Sequence, residues 1–177
     1  METYTSQIIN ADTTMKGAID NLTVLLSKFT GTIYITGIGK SSHVARKCVA
    51  TWQSLGLKAQ NLLVQDMPHG DMGILQPGDY IIYMSNSGNT EEIVNVAKYI
   101  SVNIPVVQVA LTANLNSKLK EWTDYDFCIS NFTIQESIPT VSCVMFMIVL
   151  DQVGINLSNI TMNRFKLYHP GGDLGKK

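Results

Sequence analysis

An α/β protein built on a mainly parallel sheet, with helices covering both faces, is what this sequence predicts. Three observations carry the expectation. Short β-branched and aromatic runs alternate with stretches of helical period along most of the chain. Two of those runs break into small glycine-bearing turns that open a helix, at Gly37-Ile38-Gly39-Lys40 and at Ser85-Asn86-Ser87-Gly88-Asn89-Thr90. Near the C-terminus, residues 141–151 are apolar nearly all round, so a helix there must be buried on most sides.

The first element expected is an amphipathic helix over about residues 5–28, where Ile8, Ile9, Met15, Ile19, Leu22, Leu25 and Leu26 stack on one face. Thr30-Gly31 ends it. A strand follows at residues 32–36, a helix at 44–55, and a second strand at 59–64. Residues 66–73 form a polar loop rich in turn formers. The run Tyr80-Ile81-Ile82-Tyr83-Met84, preceded by Pro77-Gly78, is a buried parallel strand ending at Ser85. Its helix carries Ile93, Val94, Val96 and Ala97, with Thr90 as the expected cap. Strands at 105–110 and 125–129 flank a short helix at 117–122. The apolar helix at 141–151 has more bulk than one sheet face covers, so part of it is expected in a subunit interface. The tail, residues 168–177, holds too much Pro and Gly for a regular element.

Size and composition narrow the function. With 177 residues, 45% of them hydrophobic, and a mean hydropathy of +0.11, the chain fits one domain over residues 1–177 with a sizeable core. Charged residues are 15% and the net charge is −1, so no basic surplus exists to neutralise nucleic acid. Cys48, Cys128 and Cys143 show no Cys-x-x-Cys spacing, which indicates neither a disulfide framework nor a zinc ribbon. No basic leader precedes an apolar core, and no stretch approaches ~18 consecutive apolar residues. A cytoplasmic location with no membrane partner is expected.

The loop after the central strand has the chemistry of an anion site. Ser85, Ser87 and Thr90 supply hydroxyls, Gly88 permits a tight turn, and the amides at a helix start carry partial positive charge. Taken alone, the same loop also fits a helix-capping turn that binds nothing. Gly37-x-Gly39 lacks the third glycine of a dinucleotide fingerprint, and the Walker spacing is absent. Lys40 is better understood as a point charge aimed at an anionic substrate, because a cation at a helix start opposes the dipole. His69 and Asp71 suit a polar loop beside a site more than a metal centre, having no third ligand nearby.

Four motifs together resemble the sugar isomerase (SIS) domain family, in the pattern of its D-arabinose 5-phosphate isomerases. They are Gly37-Ile-Gly39-Lys40-Ser-x-His43, His69-Gly70-Asp71-Met72-Gly73, Ser85-Asn-Ser87-Gly88-x-Thr90-Glu-Glu92 and His169-Pro-Gly-Gly-x-Leu-Gly175. The resemblance implies a flavodoxin-like three-layer α/β/α sandwich around a five-stranded parallel sheet. It implies a homotetramer or homodimer that interconverts D-arabinose 5-phosphate and D-ribulose 5-phosphate and feeds Kdo synthesis for lipopolysaccharide or capsule. Ser85, Asn86, Ser87, Gly88 and Thr90 would hold phosphate, with Gly39 and Ser41 also touching substrate. Lys40, His69, Glu92 and His169 would surround the sugar, and Glu136 best matches the family's further glutamate. Ser42 and Asn89 depart from the usual Gly and Glu, and the paired CBS domains many members carry do not follow before Lys177.

Isomerisation through an enediol needs no redox cofactor, and none is expected. Glu92 or Glu136 would move the carbon proton, His169 assist ring opening and Lys40 stabilise the enediolate. Adjacent Glu91 points about 100° away from Glu92 on a helix. His169, on the tail, is expected to enter a neighbouring subunit's site. A downstream sugar nucleotide is the candidate regulator. The competing readings are a 6-phospho-3-hexuloisomerase and a non-catalytic phosphosugar sensor.

Overall fold

The computed structural model describes residues 4–130, 139–171 and 173. Five parallel strands form one sheet: β1 (Ile33–Gly37), β2 (Ala59–Asn61), β3 (Tyr80–Ser85), β4 (Val107–Thr112) and β5 (Tyr125–Cys128). Their order is β2-β1-β3-β4-β5, so the chain turns to one side after β1 and to the other after β3. This is the α/β/α sandwich expected.

Both faces of the sheet are covered, which is why β1 and β3 are apolar without alternation and buried along their whole lengths. On one face Ile33, Ile35, Ile82, Met84, Val109 and Leu111 pack under α2 (Asp12–Leu26), α3 (Lys40–Ser54) and α5 (Val141–Leu157). On the other, Tyr34, Ile81, Tyr83 and Ala110 meet α4 (Glu91–Asn103) and the 62–75 segment. Trp52 of α3 donates its indole N–H to the Leu150 carbonyl at 2.8 Å, and Gly154 gives that ring room, since a Cβ there would collide with it.

Several boundaries differ from the sequence expectation. The helix over residues 5–28 is two helices, α1 (Tyr4–Asn10) and α2, separated at Ala11. The Ala11 amide is shared between the Gln7 and Ile8 carbonyls, a one-residue irregularity that turns Ile9 out to 66% exposure. Gly39, at φ +58°, starts α3 at Lys40, four residues before the expected 44. β2 is three residues rather than six, and α5 runs on to Leu157. A further helix, α6 (Met162–Leu167), capped by the Thr161 hydroxyl on the Arg164 amide, had no apolar periodicity to announce it. Along α5, Val144, Ile148 and Ile155 remain 38%, 40% and 55% exposed on an otherwise buried helix. No helix among the described residues is long and apolar enough to cross a membrane.

Two buried ionisable groups set an alkaline limit on the fold. Burial, reinforced by Asp151 and opposed by Lys47, pushes the Cys48 thiol from 9.0 up to about 12. Burial, with Asp124 adding, holds the Tyr83 phenol well above 10.0, and its hydroxyl donates to Gln108 Oε1 at 2.6 Å. Both groups ionise more readily in the unfolded chain, so the folded state retains more protons above about pH 9. The stability they confer is complete below that pH and declines as pH rises further. The urea midpoint should therefore fall from about pH 9 upward. Tyr83→Phe should flatten part of that fall while costing about 1–3 kcal/mol at neutral pH, because Gln108 Oε1 loses its donor.

Candidate active site

β1 and β3 lie side by side, with Gly37 opposite Met84. The chain leaves their C-terminal ends in opposite directions, which opens a crevice between the two following turns. A cavity of about 180 Å³ fills it, lined by Lys40, Ser41, Ser85, Asn86, Ser87 and Thr90 together with Pro139 and Ser142.

Three helices begin at this cavity. Their N-cap residues are Gly39 for α3, Thr90 for α4 and Thr140 for α5, and none of the three bonds its helix's own amides through a side chain. Thr90 thus occupies the expected cap position without capping; its Oγ1 instead lies 3.4 Å from Ser85 Oγ. The Ser42 amide bonds the Gly39 carbonyl at 3.1 Å; the other first-turn amides of α3 and those of α4 are left to an outside acceptor, and the dipoles favour an anion. Ser85 Oγ accepts the Gly88 amide at 3.0 Å, and Ser87 Oγ accepts the Asn89 amide at 3.2 Å. With a lone pair of each oxygen engaged, the hydroxyl protons can be directed at a ligand. Lys40 adds a cation at the rim.

The remaining sequence-predicted residues fall in several places. Gly39 and Gly88 shape the turns without lining the cavity; Gly88 has φ +64° and lies so close to Ser117 that a Cβ would strike its hydroxyl. Glu92 lines a second cavity, of about 740 Å³, on the other side of the first turn of α4. Met67, Pro68, Gly70, Met72 and Gly73 wall that same cavity. His69 and Asp71 sit on this wall's two 3-10 turns, Met67–His69 and Asp71–Ile74, both exposed and lining neither cavity.

His169 is at the opposite end of the subunit. Tyr168 packs on Gly56, just past the C-terminus of α3, and Ser158 donates to the Leu55 carbonyl at 2.9 Å. The 15 residues of α3 put roughly 20 Å between that end and Lys40. The His169 ring stacks on Phe165 at 4.2 Å, and Nδ1 is 2.7 Å from the Phe165 carbonyl. A carbonyl only accepts, so Nδ1 is the donor in this bond and Nε2 is the ring nitrogen left outside it. Glu136 lies outside the described residues.

Two contributors escaped the sequence analysis. The start of α5 brings Ser142, 1% exposed, to the cavity; a lone serine at the head of an apolar helix was the signal available. The β4–β5 connection braces the serine loop from behind through Ala113, Asn114 and Ser117.

An α/β domain with a hydroxyl- and amide-lined cavity at the switch point of its sheet is the class these features define. The SIS domain family model matches residues 26–155. An Escherichia coli arabinose 5-phosphate isomerase, KpsF, is 33% identical over 159 residues, covering 86% of this chain and 50% of that protein. The uncharacterized protein RP505 of Rickettsia prowazekii is 34% identical over 155 residues, covering 85% of this chain and 48% of its own. Among solved structures, E. coli CFT073 c3406 in complex with arabinose 5-phosphate superposes with a TM-score of 0.79 at 27% identity, covering 92% of this chain and 95% of that one. The chain belongs to the SIS domain family. It spans about half the length of the curated relatives it matches.

Gly88→Ala tests whether the loop is as constrained as its geometry indicates. The left-handed backbone and the collision with Ser117 should together lower stability by ~2 kcal/mol or more in urea unfolding and weaken inorganic phosphate binding. Wild-type values of both would show that the loop adapts freely.

Proposed function

We propose that the chain is an aldose–ketose isomerase that interconverts D-arabinose 5-phosphate and D-ribulose 5-phosphate. The observation that carries this reading is the convergence of the α3 and α4 starts, neither capped by a side chain, with the Ser85, Ser87 and Thr90 hydroxyls and Lys40 on one small cavity. That donor set suits a phosphate monoester, and KpsF is named for the pentose phosphate that would bring one.

With phosphate anchored there, the sugar extends past the first turn of α4 toward Glu92. Ring opening takes the proton from the anomeric hydroxyl and returns one to the ring oxygen, a transfer that His169 Nε2 is suited to serve. A carboxylate, Glu92 or Glu136, then removes the proton on carbon 2, giving an enediolate whose oxygen faces the Lys40 ammonium. Returning that proton to carbon 1, while the hydroxyl proton on the carbon-2 oxygen passes to the carbon-1 oxygen, completes the ketose with no external oxidant or reductant. In this reading His69, on the exposed 3-10 turn beside the second cavity, contributes to sugar binding.

One chain does not place His169 near its own cavity, and the proposed enzyme is therefore a homotetramer or homodimer in which His169 serves a neighbouring subunit. The exposed Val144, Ile148 and Ile155 supply an apolar stripe for such an assembly. Kdo synthesis in the cytoplasm as the pathway served, and a downstream sugar nucleotide as regulator, rest on the family pattern and on no feature of the cavity.

The separation of Glu92 and His169 from the phosphate cavity within one chain favours a second reading, a non-catalytic phosphosugar-binding domain. Proton NMR with arabinose 5-phosphate in deuterated water separates the two. The isomerase gives ribulose 5-phosphate with solvent deuterium incorporated at the reacting carbons, whereas saturable binding without turnover sinks the catalytic reading. Assaying hexulose 6-phosphate alongside tests a 6-phospho-3-hexuloisomerase.

Lys40→Ala and Glu92→Ala should each lower turnover by ~10²-fold or more with the fold intact. Near-normal turnover removes the residue from the mechanism. Mixed assemblies of His169→Ala and Lys40→Ala subunits should regain activity that neither parent shows, and their failure to do so would place His169 outside the neighbour's site.

A further inference from the structure

The serine loop does not hold its shape by its own hydrogen bonds alone. Its carbonyls are held from behind by the connection that follows β4. The Ala113 amide donates to the Asn86 carbonyl at 3.1 Å, and Asn114 Nδ2 donates to the Ser87 carbonyl at 2.8 Å. The Gly88 carbonyl receives the Leu119 amide at 3.1 Å and the Ser117 hydroxyl at 3.3 Å. One further bond runs the same way, to a side chain: the Lys118 amide donates to Asn89 Oδ1 at 2.9 Å.

These contacts have a geometric consequence. In a trans peptide the N–H of one residue points opposite to the carbonyl of the residue before it. Fixing the carbonyls of Asn86, Ser87 and Gly88 toward the brace therefore turns the amides of Ser87, Gly88 and Asn89 away from it. Two of those amides bond the Ser85 and Ser87 hydroxyl oxygens, the groups that face the cavity. The brace thus sets where the hydroxyl donors point.

From this we infer that Asn114 is a positioning residue for anion recognition, acting through the Ser87 carbonyl without touching the ligand. Asn114 is half-buried, lines neither cavity, and is itself fixed at its other end, where Oδ1 accepts the Asn116 amide at 3.0 Å. Backbone bonds from Ala113 and Leu119 cannot be removed by substitution, and Ser117 is buried against Gly88. Asn114 is the member of the brace whose donor can be deleted with the least disturbance. The inference rests on the phosphate-binding part of the proposed function and not on catalysis.

The test uses Asn114→Ala and the near-isosteric Asn114→Asp, which keeps the acceptor for Asn116 and loses the donor to Ser87. Binding of inorganic phosphate is measured by calorimetry, and kcat and KM for arabinose 5-phosphate by NMR. Loss of one hydrogen bond predicts a Kd for phosphate about five- to tenfold weaker in both variants, with KM rising in parallel and kcat within about twofold. Thermal midpoints close to wild type in Asn114→Asp distinguish positioning from general loosening. Unchanged phosphate affinity in both variants overturns the inference, as does a loss of kcat and thermal stability together with KM unchanged. If the wild-type protein binds phosphate but turns over no sugar, the isomerase reading falls while weaker binding in the variants still supports the brace. If it binds no phosphate, both fall.

Discussion

Parallel pairing of β1 with β3 is the constraint on which the site depends. Because the chain departs from these two neighbours in opposite directions, the starts of α3 and α4 are left facing one gap, which the start of α5 also reaches. Each helix start has amides with no partner in its own turns, and neither Gly39 nor Thr90 supplies one from a side chain. This cavity is thus the place where helix-start amides gather, with Ser85, Ser87 and Lys40 added around it. The depth of burial of β1 and β3 serves the same end. Strands packed on both faces are stiff supports for turns that must hold their peptide planes within narrow limits.

What the sequence reveals divides along lines of range. The strands of the sheet centre were legible because a strand buried on both faces must be apolar at every position, and few other elements look like Tyr80-Ile81-Ile82-Tyr83-Met84. The two turns were legible because glycine and clustered hydroxyls are local signals. Helix boundaries were less so: the break at Ala11 depends on packing of the buried alanine, and α6 forms without an apolar stripe of its own. Of the candidate site residues, Lys40, Ser41, Ser85, Asn86, Ser87 and Thr90 line one cavity, whereas Glu92 lines another and His169 lies apart from both. Which side of α4 Glu92 faces, and which end of the molecule holds His169, are set by tertiary contacts that no motif spacing encodes. The brace from Asn114 and Ser117 was invisible for the same reason, since it joins loops 27 and 29 residues apart.

The acidic first turn of α4 raises a physical objection to an anion in this cavity. Glu91 and Glu92 already complement the helix dipole, an interaction worth about 0.3–1 kcal/mol each on an exposed surface. They also repel a second anion. Both side chains are exposed, however, and Glu92 lies along the other cavity, so water screens them from the phosphate position. At ~8 Å in a water-like medium such repulsion is about 0.5 kcal/mol per pair of unit charges. A hydrogen bond to a charged group contributes about 1.5–3 kcal/mol, and the cavity offers several, from two hydroxyls, Thr90 and the helix amides, before Lys40 is counted. In the proposed reading the balance favours a phosphate only while the donors are already aimed. If the loop had to reorganise on binding, ordering a few residues at about 1–2 kcal/mol each would consume most of that margin. Rigidity behind the serine loop is therefore as necessary to recognition as the hydroxyls in front of it.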